Sequence, residues 1–406
     1  MVPMKIKRNI FNRLVDELSE PQILILVGPR QVGKTTLLLA LEKWVKSQGK
    51  RTQFLDLEQP SDLKLILQNE AGDIPFLTNE IDFLFIDEFY YLENAGKIFK
   101  AIFDQVHSGK KNPLKIILSG SSSVEIHSHL KESLAGRTIT YHIFPLSFQE
   151  YMNWESKNRP TFDEYLCYGG LPGLADITDN NRKQILLQEF LSTYLFKDIK
   201  SLVKEENIRA FNHLLYLLAQ NQGQLLEVSN LARELKMSAT TISKYLDIMD
   251  KTYVNFSLSS FHTNLANELK KSRKTYLYDL GIRNSILRDF REASDRPDAG
   301  CIFETFVFLT LYQNLKPNME LRFWRTKKKE EVDFILIKNR QPIPIEVKRN
   351  LSKHKVHPGI KSFCRKYPKV KESYLISEKA HHDIIDNGVT HHFIGLQEMG
   401  DLLLPL

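Results

Sequence analysis

Residues 28–36 decide the fold of the first part of this chain and read Gly28-Pro29-Arg30-Gln31-Val32-Gly33-Lys34-Thr35-Thr36. An apolar run at residues 23–27 precedes this stretch, and a helix-prone run at residues 37–43 follows it. The pattern GxxxxGK(S/T) indicates a phosphate-binding loop when a strand precedes it and a helix follows it. The alternative is a glycine-rich turn that matches by chance, and the two flanking elements argue against it.

The residue types of the loop match the chemistry of holding a nucleoside triphosphate. Glycine at positions 28 and 33 lets backbone N–H groups turn inward around phosphate oxygens, which a Cβ would obstruct. Lys34 is expected to reach the β- and γ-phosphates, and the Thr35 hydroxyl is expected to ligate Mg²⁺. The sequence therefore predicts that residues 28–36 bind ATP together with Mg²⁺.

Composition bounds the class of protein and its compartment. A chain of 406 residues predicts about two to four domains. The three cysteines lie far apart without a CxxC pair, which argues against a disulfide framework and fits a reducing cytoplasm. The first apolar run spans five residues, whereas a membrane helix needs roughly 20. We therefore expect a cytoplasmic protein that does not contact a membrane.

Positive charge is concentrated in the C-terminal half. The net charge is +7, and residues 262–360 alone carry 20 Lys and Arg against 12 Asp and Glu. A basic region of this kind favours a polyanionic partner, with nucleic acid first and DNA ahead of RNA. The alternative is a solvated basic surface without a dedicated partner.

A second motif for nucleotide chemistry lies at residues 81–89, an apolar strand pattern that ends in Asp87 and Glu88. Strands buried on both faces of a parallel sheet are continuously apolar, and their carboxyl ends meet at the ligand edge. Asp87 is expected to hold Mg²⁺, and Glu88 is expected to polarise the attacking water. The alternative is a polar strand end without a catalytic role.

Two further residues are candidates for the same site. Ser119 follows the apolar strand at residues 114–118 and could sense the γ-phosphate, or it could belong to a Ser-rich turn that caps the next helix. Arg137 could stabilise transition-state charge within its own chain or across the interface of a homo-oligomer. Arg30 is a second candidate for that role, and a structural salt bridge is the alternative for both arginines.

This order of elements predicts an α/β fold, a P-loop αβα parallel sheet with right-handed crossovers over residues 1–150. It resembles the AAA superfamily of ATPases.

The middle of the chain is predicted to be helical. Ser147 and Glu150 form a capping box, and residues 151–200 are interpreted as a helical lid with a hinge at Gly169 and Gly170. Residues 201–262 predict a winged helix-turn-helix domain, with Ser238 as the N-cap of its second helix. Contact with DNA and docking of a protein remain equal alternatives for this domain, because the exposed face of that helix offers few base-reading side chains.

The remaining residues, 263–406, predict an α/β domain with a second reactive centre. Glu346 and Lys348 form an E-x-K pattern on a strand and point to one face, with Asp333 on the partner strand of a hairpin. Together with Glu304 on an apolar helix, they are candidate catalytic residues for phosphodiester hydrolysis, with Asp333 and Glu346 as ligands of Mg²⁺. This ordered set resembles the restriction-endonuclease-like PD-(D/E)xK superfamily. The alternative is a hairpin with alternating surface charges.

The tail carries two histidine pairs, at residues 381–382 and 391–392, for which we expect no metal role.

The resemblance extends along nearly the whole chain through GPRQVGKTT, FLFIDEF, LAGR, PLSFQEY, YGGLPG, KTYLYDLGIRNSIL, EVDF and IEVK. The chain resembles bacterial and archaeal AAA-type ATPases that carry a winged helix and a C-terminal nuclease-like domain. The resemblance implies an ATP-hydrolysing switch that controls a nucleic-acid-acting domain. The alternatives are an ATP-dependent DNA binder with a non-cleaving C-terminal domain and a protein-docking scaffold.

Overall fold

The computed structural model describes residues 8–68, 81–107, 114–121, 134–153, 160–193, 208–262, 273–351 and 355–403. The chain divides into two compact units. The first unit contains Met1–Pro160, Leu171–Thr178 and Lys251–Val254, and the second contains Thr161–Gly170, Asp179–Asp250 and Asn255–Leu406. None of the helices in the described ranges has the length and apolar character needed to span a bilayer.

A five-stranded parallel sheet forms the centre of the first unit. Its strands are β1 (Ile23–Gly28), β2 (Thr52–Asp56), β3 (Phe83–Asp87), β4 (Lys115–Ser121) and β5 (Thr138–His142). They lie in the order β2-β3-β4-β1-β5, and every pair is parallel. Every residue of β1 and β4 is buried, as expected for central strands covered on both faces. The P-loop αβα sheet predicted for this part of the chain is confirmed.

Five α-helices of the described residues belong to this unit. They are α1 (Phe11–Asp16), α2 (Lys34–Ser47), α3 (Pro60–Gln68), α4 (Ala95–His107) and α5 (Phe148–Met152). Helix α2 packs its Leu37, Leu38 and Leu41 into the apolar core with Leu24 and Leu26 of β1. The capping box at the start of α5 is confirmed, because the Ser147 side chain accepts from the Glu150 N–H and Glu150 accepts from the Ser147 N–H.

The second unit begins with helices and a small antiparallel sheet. The helices are α6 (Phe162–Tyr168), α7 (Asn180–Phe190), α8 (Ile208–Gln220), α9 (Val228–Glu234), α10 (Ala239–Lys251) and α11 (Leu280–Leu287). The strands are β6 (Leu225–Leu226), β7 (Asn255–Leu258) and β8 (Arg273–Leu277), in the order β6-β8-β7. Helices α6 and α7, from the range predicted as a lid, lie in this unit, whereas α5 lies in the first.

The helix–turn–helix pattern falls on α9 and α10. The apolar stripe predicted on α10 is buried, including Ile242, Tyr245 and Met249. Ser238 caps this helix, since its hydroxyl accepts from the Thr241 N–H at 3.0 Å. The predicted boundary at residue 262 separates β7 from β8, yet the two strands pair in the structure. Strand β8 is the central strand of the small sheet.

A six-stranded mixed sheet and two helices form the rest of the second unit. Helix α12 (Ala299–Gln313) precedes strands β9 (Met319–Arg325), β10 (Glu331–Lys338) and β11 (Gln341–Val347). Helix α13 (Pro358–Lys366) precedes β12 (Glu372–Ile376), β13 (His381–Asp386) and β14 (Val389–Ile394). The order is β13-β14-β12-β11-β10-β9. The predicted hairpin is β10–β11, and Asn339 and Arg340 at its turn adopt positive φ angles of 50° and 66°.

A buried carboxylate joins two motifs that are distant in sequence. Asp279 accepts from the N–H of Ile282 at 3.0 Å, which caps α11, and from the N–H of Gly170 at 2.8 Å. Gly281 lies so close to the end of α6 that an added Cβ would be 2.0 Å from the carbonyl oxygen of Tyr168. The YGG and YDLG segments therefore form one packed junction.

Substitution of Gly281 by alanine tests this junction. We expect Gly281→Ala to lower the free energy of unfolding by about 2 kcal/mol or more, because overpacking against backbone cannot be relieved by a rotamer change. Gly300→Ala is the matched control: Gly300 is also the second residue of a helix, but its added Cβ would meet nothing within 4 Å. Urea denaturation followed by tryptophan fluorescence measures both. Equal stabilities of the two variants would contradict the junction.

Candidate functional site

The phosphate loop joins β1 to α2, and its two glycines are required for different reasons. A Cβ on Gly28 would lie 2.1 Å from the carbonyl oxygen of Ile143, so backbone fills the space that a side chain needs. Gly33, directly before the first residue of α2, has a φ of 90°. Residues with a side chain rarely adopt this backbone conformation. The loop therefore leads directly into a helix N-terminus, which favours anions.

Lys34 lies inside this loop and is buried, with 5% of its surface exposed. Its ammonium group donates to the carbonyl oxygens of Pro29 at 2.7 Å and Gly28 at 3.1 Å. Burial lowers the pKa of Lys34 to about 8; the charges of Glu88 and Asp87 oppose this shift, and the charge of Arg30 adds to it. The lysine predicted to reach the phosphates therefore lies beside both candidate carboxylates.

The carboxylate of Asp87, at the end of β3, accepts hydrogen bonds from the start of α2 and from β4. Its Oδ2 accepts from the Thr35 hydroxyl at 2.5 Å, and its Oδ1 accepts from the Ser119 hydroxyl. Ser119 is fully buried within β4, which continues to Ser121. Its hydroxyl orients Asp87, an arrangement that neither of the two interpretations from sequence described. The residues expected to form the following helix lie outside the described ranges.

Glu88 directly follows β3 in a left-handed conformation, with a φ of 50°. Its Oε2 accepts from the N–H of Ser121 at 3.2 Å. Burial raises the pKa of Glu88 above its usual value, and the charge of Lys34 opposes this shift. A carboxylate with a raised pKa, close to the phosphate loop, is suited to accept a proton from water.

The donor set at the end of β3 fits Mg²⁺. Thr35 and Asp87 supply hydroxyl and carboxylate oxygens, which are the hard ligands that this ion prefers. They lie within hydrogen-bond distance of each other, so one ion with its waters can reach both. Thr35 and Asp87 are the residues that would hold it.

Arg137 is not brought to the phosphate loop of its own chain. Its carbonyl accepts from the N–H of Ile23, at the start of β1, whereas the loop follows the opposite end of that strand. The guanidinium pairs with Asp104 on α4 at 2.8 Å. The salt bridge named as the alternative is therefore present, and a role across an interface between chains stays a prediction.

A second centre lies in the second unit, where the hairpin β10–β11 brings the predicted residues together. The Lys348 ammonium donates to Glu346 Oε1 at 2.8 Å, and Asp333 Oδ2 accepts from the N–H of Val347 at 2.9 Å. His357, which sequence reasoning did not single out, lies 3.2 Å from Glu346 Oε1 through its Nδ1. Asp333, Glu346 and Lys348 therefore share one site, as the strand period predicted.

One oxygen of Glu346 indicates whether this centre could hold a metal ion. Its Oε2 is buried and has no hydrogen-bond partner in the structure. Burial and the neighbouring charge of Asp333 raise the pKa of Glu346 to about 8, with Lys348 opposing the shift. A buried carboxylate oxygen of this kind is satisfied by a cation. The residues present fit a divalent ion held by Asp333 and Glu346.

Other ligands would have to come from water or substrate. Within the described ranges, no three His, Cys, Asp or Glu side chains converge in a way that could hold a metal. Mg²⁺ commonly uses one or two carboxylates and completes its shell with water and phosphate oxygens. In the tail, His391 is buried and lies 2.6 Å from the Ser373 hydroxyl, whereas His381 is exposed and contacts Glu398.

Glu304 lies near these residues but is held by other partners. It accepts from the Tyr276 hydroxyl at 2.7 Å, and Lys274 Nζ lies 3.5 Å away. Lys274 also contacts Glu331 at 2.7 Å and Asp333 at 3.9 Å. Lys274 was not identified from the sequence. A signal was present, because Lys274, Tyr276 and Tyr278 are two residues apart and so lie on the same face of a strand, which predicts a lysine beside two large aromatic side chains.

A cavity of about 570 Å³ opens onto this centre. Its lining includes four acidic residues, Glu330, Glu331, Asp333 and Glu346, and three basic ones, Lys329, Lys361 and Arg365. Carboxylates and cations in one cavity suit a phosphodiester, because the cations can hold phosphate oxygens while a metal ion on the carboxylates activates water.

Three family models match consecutive parts of the chain. Residues 20–152 match the AAA domain, residues 159–293 match a domain of unknown function (DUF8612), and residues 299–398 match another domain of unknown function (DUF4143). The first match covers the phosphate loop, the acidic strand and the parallel sheet. It supports an AAA-type P-loop ATPase fold for the first unit.

Similar proteins occur in bacteria and archaea. The uncharacterized protein Rv2008c of Mycobacterium tuberculosis is 27% identical over 345 residues, which cover 84% of this chain and 74% of that protein. The uncharacterized protein MJ1544 of Methanocaldococcus jannaschii is 27% identical over 350 residues, covering 81% and 76%.

Similar solved structures include AMPPCP-bound DnaA from Aquifex aeolicus, with a TM-score of 0.34, 14% identity and coverage of 59% of this chain and 85% of that one. Aeropyrum pernix ORC1 in complex with DNA has a TM-score of 0.28 and 12% identity, covering 71% and 95%. No inference about the function of this chain follows from likenesses of this size.

The lowered pKa of Lys34 predicts a pH dependence of nucleotide binding. Phosphate groups favour the charged lysine, so binding above pH 8 must return a proton to Lys34. We expect the affinity for a non-hydrolysable ATP analogue to be constant below pH 8 and to fall by up to about tenfold per pH unit above it. Calorimetry in two buffers of different ionisation enthalpy measures the proton uptake. Constant affinity from pH 7 to about pH 9.5 would show that Lys34 keeps its proton.

Proposed function

We propose that this chain is an ATP-hydrolysing switch that controls a nuclease-type centre acting on nucleic acid, DNA in the first place. The observation that carries the first half is the carboxylate of Asp87, which accepts hydroxyl hydrogen bonds from Thr35 and Ser119 beside Lys34. Phosphate-binding, metal-binding and water-activating groups thus converge at one sheet edge, as hydrolysis of a phosphoanhydride requires.

Each of these residues has a separate part in the proposed hydrolysis. Backbone N–H groups of the loop and the start of α2 bind phosphate oxygens, and Lys34 exchanges the carbonyls of Gly28 and Pro29 for the β- and γ-phosphates. Mg²⁺, held by Thr35 and Asp87, supplies charge neutralisation when bound. Glu88 orients the attacking water and accepts its proton.

The second half of the proposal rests on the cavity of the second unit. Asp333 and Glu346 would hold a divalent ion, and Lys348 would orient the attacking water and stabilise negative charge on the scissile phosphate. The basic side chains that line the cavity would position the sugar-phosphate backbone. Glu304 is assigned a supporting role in the same centre, since Tyr276 and Lys274 hold its carboxylate.

A winged-helix domain completes the proposed architecture. Helices α8, α9 and α10 precede β7 and β8, and the three-stranded antiparallel sheet β6-β8-β7 supports a wing. The exposed residues of α10 include Thr240, Ser243, Lys244 and Asp247, a mixture that suits phosphate or protein contact better than base reading. We therefore assign this domain to docking, with nucleic-acid backbone or a partner protein as its target.

The ATPase half predicts distinct phenotypes for two substitutions. We expect Lys34→Ala to weaken nucleotide binding by about 10- to 100-fold, because charge-assisted hydrogen bonds to phosphate are lost. Glu88→Gln should keep binding and slow turnover by about 10²- to 10⁴-fold, because it removes the proton acceptor. Exposed Lys43→Ala and Glu93→Gln are the matched controls. Phosphate release and analogue binding are measured, and undiminished turnover in Glu88→Gln would overturn the assignment of the base.

The nuclease half is tested with plasmid, linear and single-stranded DNA, and with RNA, in Mg²⁺ or Mn²⁺. We expect the wild-type chain to cleave nucleic acid and expect Asp333→Ala and Lys348→Ala to abolish this cleavage. Lys34→Ala should still cleave, but its cleavage should no longer respond to ATP. Asp383→Ala, at an exposed position, is the control that should cleave like wild type. Nucleic acid should also stimulate the ATPase rate. Salt-sensitive binding without cleavage would favour the non-cleaving binder, and ATP-dependent assembly without salt-sensitive binding would favour the scaffold.

A further inference from the structure

A buried ammonium group lies among the carboxylates of the second centre. Lys274 is 1% exposed, and its Nζ lies 2.7 Å from Glu331, 3.5 Å from Glu304 and 3.9 Å from Asp333. Lysine is rarely buried to this extent unless it is paired, and here it is paired three times. The charge of this side chain is therefore part of the centre.

Two neighbouring strands fix the position of this lysine. Lys274 lies in β8 opposite Leu225 of β6 and opposite Leu258 of β7. Two residues further along, Tyr276 faces the same side and donates its hydroxyl to Glu304. Because the strand is paired on both edges, the backbone of Lys274 has a fixed position beside the carboxylates.

The four carboxylates of the centre divide into two pairs. Glu331 is compensated by Lys274 and by Arg325, which lies 2.9 Å away, and Glu304 is compensated by Lys274 and Tyr276. A Cβ on Gly223 would lie 2.6 Å from Glu304 Oε1, so the chain also closes over this carboxylate.

The other pair is Asp333 and Glu346, on the adjacent strands β10 and β11. Both line the cavity, and Glu346 Oε2 is the buried oxygen without a hydrogen-bond partner. Only this pair combines access to the cavity with an unsatisfied oxygen among the described carboxylates of the centre. Lys348 contacts the other oxygen of Glu346, and Lys274 is 3.9 Å from Asp333, but Glu346 Oε2 is left for a further cation.

We propose that Lys274 is a built-in cation of this centre that neutralises Glu304 and Glu331, so that the centre takes one divalent ion, held by Asp333 and Glu346. The inference rests on the proposed function of this site. Two-metal centres place their ions about 3.5–4 Å apart and need carboxylates for both. Here the carboxylates that a second ion would need already surround an ammonium group, and like charges at such distances repel strongly.

Mn²⁺ binding to the full-length chain without nucleotide tests this assignment. Titration followed by electron paramagnetic resonance of free Mn²⁺ gives the number of ions and their affinity. We expect wild type to bind one ion that Asp333→Asn removes, which separates it from ions bound elsewhere. Lys274→Met should bind a second ion, or the first about tenfold more tightly, because the competing charge is gone. Lys338→Met, which changes a buried lysine at the end of β10, is the matched control.

A second pair of variants keeps the test decisive if Lys274→Met does not fold. Glu304→Gln should leave Mn²⁺ binding within about twofold of wild type, whereas Glu346→Gln should weaken it by at least about tenfold. Equal losses in both, two ions in wild type, or unchanged binding in folded Lys274→Met would overturn the role of Lys274 while the metal centre stands. If wild type binds no ion that Asp333→Asn removes, the metal centre itself fails, and the proposed nuclease function fails with it.

Discussion

The hydrogen bonds that converge on Asp87 determine how the first unit is arranged. A carboxylate with 3% of its surface exposed needs donors, since burying an unpaired charge costs several kcal/mol. Thr35 supplies one from the start of α2, and Ser119 supplies one from β4. Both donors are within reach because β4 lies between β1 and β3 in the sheet. The chemistry of the site therefore depends on the order of the strands, because another order would separate the phosphate loop from Asp87.

The second unit satisfies the same rule with full ionic partners. Lys274 compensates Glu304 and Glu331, and Arg296 and Arg283 share Asp298 at 2.8 Å and 2.7 Å. Buried ion pairs of this kind add little net stability, because desolvation offsets the attraction. Removing one partner is far more destabilising than the pair is stabilising. These networks therefore restrict which packing the chain can adopt, and they hold the carboxylates of the second centre in defined places.

Most of the first unit and part of the second centre could be predicted from sequence, for identifiable reasons. Continuous apolar runs mark buried parallel strands, and the phosphate loop has fixed spacing, so Lys34, Thr35, Asp87 and Glu88 are recognisable. The strand period of two likewise brings Glu346 and Lys348 together, and the turn at Asn339 brings in Asp333. These features depend on residues near one another along the chain, where local geometry decides the outcome.

The features that could not be predicted depend on partners distant in sequence. Lys274 follows a basic stretch that resembles a solvated surface, and its burial depends on Glu304, 30 residues away. Arg137 pairs with Asp104, 33 residues away, which no periodicity indicates. The assignment of β8 to the small sheet, across the predicted boundary, has the same origin, because a short strand acquires its neighbours only in the folded chain.

The two centres differ in what a ligand must replace, and this difference fits a switch that controls a second site. Lys34 donates to two loop carbonyls and Thr35 donates to Asp87, so the proposed binding of ATP would exchange existing hydrogen bonds for new ones. The free energies of the hydrogen bonds lost and gained in such an exchange are close to equal. The nucleotide-free and nucleotide-bound states can therefore differ in which partners Lys34 and Thr35 contact. At Glu346, by contrast, a cation satisfies an oxygen that has no protein partner, and relief of a buried unsatisfied group is worth about 1–3 kcal/mol. The first centre is therefore suited to alternate between states, and the second to keep its ion once bound. Under the proposed function, control of the second centre would therefore act on access of nucleic acid to the cavity and not on metal binding.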